Sequence, residues 1–391
     1  MLLEGLRIVD FSRVLAGPYC TMLLADLGAD VVKIERPGGG DETRTWGPPF
    51  ANGVAAYFLA VNRGKRSCAI DVASAEGRTI AHELCATCDV VVENFRPGTA
   101  KRLGLGYEEL REANPRLVYC SISGFGSRRQ PANRAGYDFV VQAESGLMSI
   151  TGDPGGDPLK VGVAVVDVLA GLNAVTGILA ALEQRHRTGA GALVETSLLD
   201  SALSALVNQA QSALVTGTPP SRLGNAHPSI VPYETFRTRD GMIAIAAAND
   251  ELFARLCDVL GEPELALDER YATNPARVAN RVTLLGRLGG MIRGRPTDEL
   301  LPALTAAGVP SGRIRDVLDA FAAAEQAGEA ATVAVGGVEL VRTAVQIDGD
   351  AATAALPPPR LGEHTREVLR GLGRSDAEID ALAREGVVQA E

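Results

Sequence analysis

The strongest constraint on the fold is a recurring order of short apolar run, loop, helix and apolar run through roughly the first 125 residues. Leu6–Phe11 (LRIVDF) is followed by a loop over Ser12–Pro18, a helical pattern to Leu27 with Gly28 placed to cap it, and a second apolar run, Val31–Ile34. The order recurs: Ser67–Asp71 and Asp89–Glu93 flank a helical stretch over Ser74–Thr87, and Leu117–Ile122 follows a helix that starts at Tyr107. Parallel strands need crossover connections, usually helices. The pattern therefore predicts a doubly wound, Rossmann-like α/β domain.

At 391 residues the chain exceeds what one core normally organises, roughly 250 to 300 residues, so a second domain is expected. From Asp167 to His186, apolar residues at 168, 172, 175, 179 and 182 mark one buried helix face, with Gly189 as its C-cap. Another helix spans about Leu198–Val215. The four prolines between Gly217 and Pro232 then read as an extended linker. Thr235–Thr238 and Met242–Ala246, joined by Arg239-Asp240-Gly241, carry a hairpin signal, and helices follow near 250–260, 277–293 and 297–307. The expected organisation is a large α/β domain begun by 1–200, a linker helix at 201–220, a smaller α+β domain at 221–310, and a return through 311–391 that completes the large domain.

A net charge of −10 argues against nucleic acid or an anionic membrane as the main partner, because both need a broad basic face. The six cysteines are scattered, and the lone close pair, Cys85 and Cys88, has no second pair to complete a zinc site. Both are expected as reduced helix residues, and no metal is expected. The opening residues Met1–Arg7 carry no basic leader, and no apolar stretch reaches the roughly 20 residues that span a bilayer. A cytoplasmic protein is the expectation.

Four places could carry chemistry. The loop Arg13–Pro18 holds one glycine, so the dinucleotide fingerprint fails, and either a plain turn before Pro18 or a close approach to a ligand remains open. The segment Lys33–Asp41 brings Arg36 and three glycines to the end of a strand, where open α/β sheets bind ligands. Glu93–Gly98, with Arg102 and Leu103 beyond, could hold an adenine or phosphate, or simply cap a helix through Asn94. Finally, Asp167 ends an apolar run and opens the long helix. Spacing alone makes it an N-cap, while the same position would keep a carboxylate ionised as a nucleophile. The four histidines form no metal motif, and zinc protease, α/β-hydrolase and P-loop signatures are missing.

Six blocks taken together resemble the family III CoA-transferases: FSRVLAGPYCTMLLADLGADVVKIERPGGGD (11–41), NRGKRSCAIDV (62–72), VVENFRPGTAKRLGLGYEEL (91–110), GYDFVVQAESGLM (136–148), VDVLAGLNAVTGILAALEQRHRTGAG (166–191) and LGEHTREVL (361–369). The resemblance implies a large α/β domain built from both chain ends, a smaller middle domain, and a homodimer of interlocked rings. It implies Asp167 as nucleophile, through aspartyl mixed-anhydride and aspartyl-CoA thioester intermediates. It places Arg36 and Arg102 at CoA phosphates, and Ala16, Ile70, Asn94, Phe95, Arg96, Leu103 and Tyr137 on CoA-contacting stretches. No cofactor would be held permanently, since CoA thioesters enter as substrates.

Leu15 stands where formyl-CoA transferase has glutamine, and that enzyme's glycine-rich loop has no counterpart, which argues against formate or oxalate. The blocks Thr43–Phe50 and Leu223–Glu234 are similar to the branch that uses succinyl-CoA with C4 to C6 dicarboxylates such as glutarate or hydroxymethylglutarate, with Arg44, Arg222 or His227 as the cation for the second carboxylate. Related 2-methylacyl-CoA racemases carry a histidine where this chain has Tyr137 in Arg134-Ala135-Gly136-Tyr137-Asp138. A racemase, or a CoA-binding protein without catalysis, are the alternative readings.

Overall fold

The computed structural model describes residues 2–129, 134–354 and 356–390. The chain forms two compact units, one from the residues up to Met148, Lys160–Thr218 and the residues from Ala331 onward, the other from Ser149–Leu159 and Pro219–Ala330. In the first unit the elements run β1 (Arg7–Asp10), α1 (Ala16–Asp26), β2 (Asp30–Glu35), β3 (Lys65–Ile70), α2 (Ala75–Thr87), β4 (Val90–Glu93), α3 (Tyr107–Ala113), β5 (Val118–Ser123), α4 (Asp138–Glu144), α5 (Val165–Thr188), β6 (Ala192–Ser197), α6 (Leu198–Ala205) and α7 (Val207–Thr216).

The six strands pair in parallel in the order β3-β2-β1-β4-β5-β6, and the short strand Val388–Gln389 adds antiparallel to β3. This is the doubly wound order, in which the winding direction reverses between β1 and β4. Such strands are apolar throughout because both faces are covered. On one face α1 and α5 pack Cys20, Leu24, Ala170, Ala174 and Ile178 onto Ile8, Val90 and Val118. On the other, Ile80 and Leu84 of α2 meet Val9, Val91 and Tyr119, joined there by Val368, Leu369, Ile379 and Val388 from the far end of the chain.

One close approach sets the site. A Cβ at Gly171 would lie 2.8 Å from the carbonyl oxygen of Ala16, so only glycine lets α5 reach the first turn of α1 this closely. Asp167, one helical turn earlier on the same face, is thereby carried to the start of α1. At the other end of α5, Gly189 adopts the left-handed cap at φ 76° and its N–H donates to Arg185 at 2.8 Å.

Several expectations need correction. β6 lies in a stretch, 192–197, for which the sequence pattern predicts no element. The single helix expected over 198–215 breaks at Leu206, and Val207 follows at φ +39°. Both pieces belong to the first unit rather than to a linker. In the second unit β7 (Tyr233–Arg237), β8 (Met242–Ala246) and β9 (Ser311–Arg313) form a three-stranded antiparallel sheet, so the unit runs past the expected boundary at 310. It also takes in Ser149–Leu159, because the Arg222 guanidinium donates to the carbonyls of Gly156 at 2.6 Å and Ser149 at 3.4 Å. Lastly, α5 is long and apolar enough to cross a bilayer by length and composition, contrary to the expectation that no stretch is. Its Ala170, Ala174, Ile178 and Leu182 pack against the sheet, so the buried face is not the one expected at 168, 172, 175, 179 and 182: Leu172 and Leu179 are exposed.

Candidate active site

At the carboxyl ends of β1, β4 and β5, where the winding reverses, lies a cavity of about 400 Å³. This is where ligands bind in open α/β sheets. Its walls come from Arg13–Ala16 after β1, Asn94–Pro97 after β4, Ser123 and Gly124 after β5, Arg134–Tyr137 before α4, and Asp167. The first two walls are stitched together by one side chain. Asn94 accepts the Arg13 N–H at 2.8 Å and donates to the Arg13 carbonyl at 2.6 Å, so it serves the neighbouring loop rather than capping a helix.

Asp167 is not the cap of α5. The N-cap position is Ala164, which offers no side-chain acceptor, and Asp167 sits three residues into the helix. The cap comes from elsewhere: the buried carboxylate of Asp138 accepts the N–H of Val166 at 2.8 Å and of Asp167 at 3.3 Å. One turn along α4, the fully buried Gln142 donates to Asp138 at 2.6 Å and accepts the Val161 N–H at 2.9 Å, fixing the irregular segment that leads into α5. The Asp167 carboxylate is thus left without a hydrogen bond among the described residues, on the cavity wall.

Burial, with the charge of Asp138 added, pushes the Asp167 carboxyl up to about 7. This corrects the expectation that the helix start keeps it ionised. The favourable field of the helix is largely met by Asp138, and what remains on Asp167 is desolvation plus repulsion. A second carboxyl, Glu93, is also held near 7 by burial, and it accepts the Phe95 N–H at 2.7 Å. The charge of Asp167 is felt by Tyr57, whose phenol is pushed up to about 12, first by burial and then by that charge. Its ring meets Trp46 edge-on at 5.3 Å.

Positive charge is local. Arg13 lies 5.9 Å from the Phe95 ring centre and 3.5 Å from Glu42, and Arg134 stacks 4.2 Å from the Phe125 ring while pairing with Glu144. With exposed Arg96, three guanidinium groups ring the cavity of a chain whose net charge is −10.

The sequence matches CoA-transferase family III over residues 3–365. The chain belongs to this family. Among its relatives, a mouse (Mus musculus) protein named succinyl-CoA:glutarate CoA-transferase is 43% identical over 99% of this chain and 90% of its own length. A protein of Agrobacterium fabrum named succinate–glutarate CoA-transferase is 44% identical over 98% of this chain and 96% of its own. A crystal structure of a CAIB/BAIF family protein from Brucella suis superposes with a TM-score of 0.86 at 45% identity, covering 95% of this chain and 99% of that one.

In this family III chain the residues that the resemblance singled out separate by location. Asp167, Ala16, Asn94, Phe95, Arg96 and Tyr137 meet on the one cavity. Arg36 is exposed after β2, with its guanidinium over Gly39, and Arg102 donates to Thr99 at 3.3 Å from an exposed turn; neither lines the cavity. Ile70 and Leu103 pack into the second core face, so their side chains do not line it either.

Arg44 is corrected outright as a substrate cation. It is buried against Glu35 at 2.6 and 2.8 Å, donates to the Pro359 carbonyl at 3.0 Å, and lies 3.8 Å over the Phe58 ring. Arg222 holds backbone carbonyls of its own unit, and His227 accepts the Ser229 N–H at 3.1 Å there. Missed from the sequence were Arg13, Tyr57, Arg134, Asp138 and Gln142. Arg13 lay inside the block 11–41, Asp138 and Gln142 inside 136–148, and Arg134 in the stretch compared with the racemases, but no local pattern gave any of them a role.

Proposed function

We propose that the chain moves CoA from succinyl-CoA to a C4 to C6 dicarboxylate such as glutarate, with Asp167 as the covalent carrier. The observation that carries the reading is a carboxylate on the wall of a switch-point cavity ringed by arginines, released from capping by Asp138 and without a hydrogen bond among the described residues. The relatives' names supply the donor and the acceptor class.

A carboxylate oxygen of Asp167 attacks the thioester carbonyl, the C–S bond breaks, and a mixed anhydride forms as CoA leaves as thiolate. The thiolate then attacks the Asp167 carbonyl and releases succinate, leaving an aspartyl-CoA thioester. The acceptor carboxylate attacks that thioester, expels CoA thiolate and forms a second anhydride. Thiolate attack on the acceptor's carbonyl gives the new CoA ester and restores Asp167. No proton is consumed, so the thioester's energy passes from one acid to the other. The start of α1 has no side-chain cap, and its free N–H groups are available to each tetrahedral oxyanion. Arg13, Arg96 and Arg134 offer charge for CoA phosphates and for the distal carboxylate.

The wider reading includes an interlocked homodimer. It is supported by large apolar side chains of α5 and α7 that stand exposed, Leu172, Leu179, Leu214 and Val215. Purified protein given succinyl-CoA and a panel of acids should pass CoA to C4 to C6 dicarboxylates and carry a CoA-sized mass on the Asp167 peptide. Activity confined to monocarboxylates would sink the substrate assignment, and an unlabelled Asp167 would sink the mechanism.

A further inference from the structure

Between β1 and α1 the backbone does something a β-branched residue avoids: Val14 sits at φ +69°, in the left-handed region. Strained conformations persist only where surrounding structure over-determines them, and here three consecutive residues are clamped. Ser12 gives its N–H to Asp10 at 2.8 Å and its carbonyl to the Lys33 ammonium at 2.8 Å. Arg13 is held at both backbone groups by Asn94. Val14 gives its N–H to both carboxylate oxygens of Asp41, at 3.3 and 3.5 Å.

Two of those clamps belong to one buried ion pair. Lys33 and Asp41 meet at 3.0 Å with neither side chain exposed at all. Asp41 is fixed further by Thr43 and, through its own N–H, by Glu35, which in turn holds Arg44 and Ser67. None of these side chains lines the cavity. Val14, which Asp41 holds, does line it, and one residue further on the chain enters α1, whose first residue, Ala16, shares the cavity wall with Asp167.

We infer that the Lys33–Asp41 pair is a positioning device for catalysis: by locking Val14 it sets where the first turn of α1 stands relative to Asp167. A buried pair of this kind is weak as a source of stability but well suited to fixing one geometry. A small misplacement of a group near the reacting atoms is enough to slow chemistry severely. The inference rests on Asp167 being the attacking group.

The test is a double-mutant cycle on the full chain with Val14→Gly and Asp41→Asn, following kcat, KM for succinyl-CoA, CoA affinity and the rate of Asp167 thioester formation. Glycine adopts φ +69° without strain, so Val14→Gly should fold, while kcat and thioester formation fall about tenfold or more and KM and CoA affinity stay within about threefold. Asp41→Asn should do the same in the parent and cost clearly less in the Val14→Gly background, because no strained residue is left to hold. Strictly additive effects on kcat, or Val14→Gly at full kcat, would overturn the inference. If Asp41→Asn does not fold, Val14→Gly decides alone by the same criterion. Asp167→Ala separates the two readings: activity surviving it removes the function proposed above, whereas its loss with an intact Val14→Gly enzyme removes only the positioning role.

Discussion

Two carboxylates meet the start of α5, and they divide its properties between them. Asp138 takes the N–H groups of Val166 and Asp167 and with them the stabilisation that a helix start offers an anion. Asp167 is left half-buried beside it, with its carboxyl at about 7. Because the attacking form is the ionised one, kcat/KM should rise with pH through about 7 and level off above. Asp138→Asn keeps an oxygen for the cap but removes the charge, so the inflection should move to lower pH; an unmoved inflection would mean that Asp138 has no electrostatic share. The same shift has a stability consequence. A carboxyl whose folded-state value is raised contributes stability below its unfolded value near 3.9, and that contribution is lost as pH rises through about 7. Asp167→Asn should therefore melt with the parent near pH 4 and above it at pH 8, by calorimetry at both pH values.

Among the elements, the crossing of α5 on α1 matters most for the site. Gly171 permits it, and adding a methyl group there would put carbon 2.8 Å from backbone that cannot swing aside. Gly171→Ala should push α5 off α1 by a few tenths of an ångström and move Asp167 with it. We expect kcat to fall about 10- to 100-fold with CoA still bound, since catalysis depends on near-attack geometry more steeply than binding does. At Gly286, Gly289 and Gly290 of the helix Arg281–Arg293 a Cβ would meet nothing within 4 Å, so Gly286→Ala should leave kcat unchanged. The parallel strands and their crossovers were legible because both-face burial writes continuous apolar runs. β6 was not, because it alternates half-exposed and exposed residues along an edge and abuts α6 without a turn.

For the molecule as a whole, the far end of the chain completes the first unit. Val368, Leu369, Ile379 and Val388 fill the second face of the sheet, the Gly362 N–H reaches Ser67 at 2.9 Å, and Pro359 accepts from Arg44. Ending the chain at Pro359 removes those side chains and uncovers Ile34, Ile70 and Ile80. Each buried Leu or Ile contributes about 2 to 5 kcal/mol against truncation to alanine, so losing several exceeds the stability of an ordinary domain. The shortened chain should be recovered insoluble or without a cooperative melt; a soluble, cooperatively melting product would show that the face can close without it.

The sequence by itself determined that strands and helices alternate into a doubly wound sheet, that cations and an aspartate sit at strand ends, and which family the ordered blocks resemble. These are readable because periodicity and short motifs act over a few residues. Only the tertiary structure decided which carboxylate caps α5 and which is free, that Arg44 is locked against Glu35 instead of meeting substrate, and that Lys33 and Asp41 stand beneath the strained turn at Val14. Capping, desolvation and charge pairing depend on neighbours brought together in space. Asp138 reaches Val166 from 28 residues away. No local pattern around Asp167 records that its cap has already been supplied.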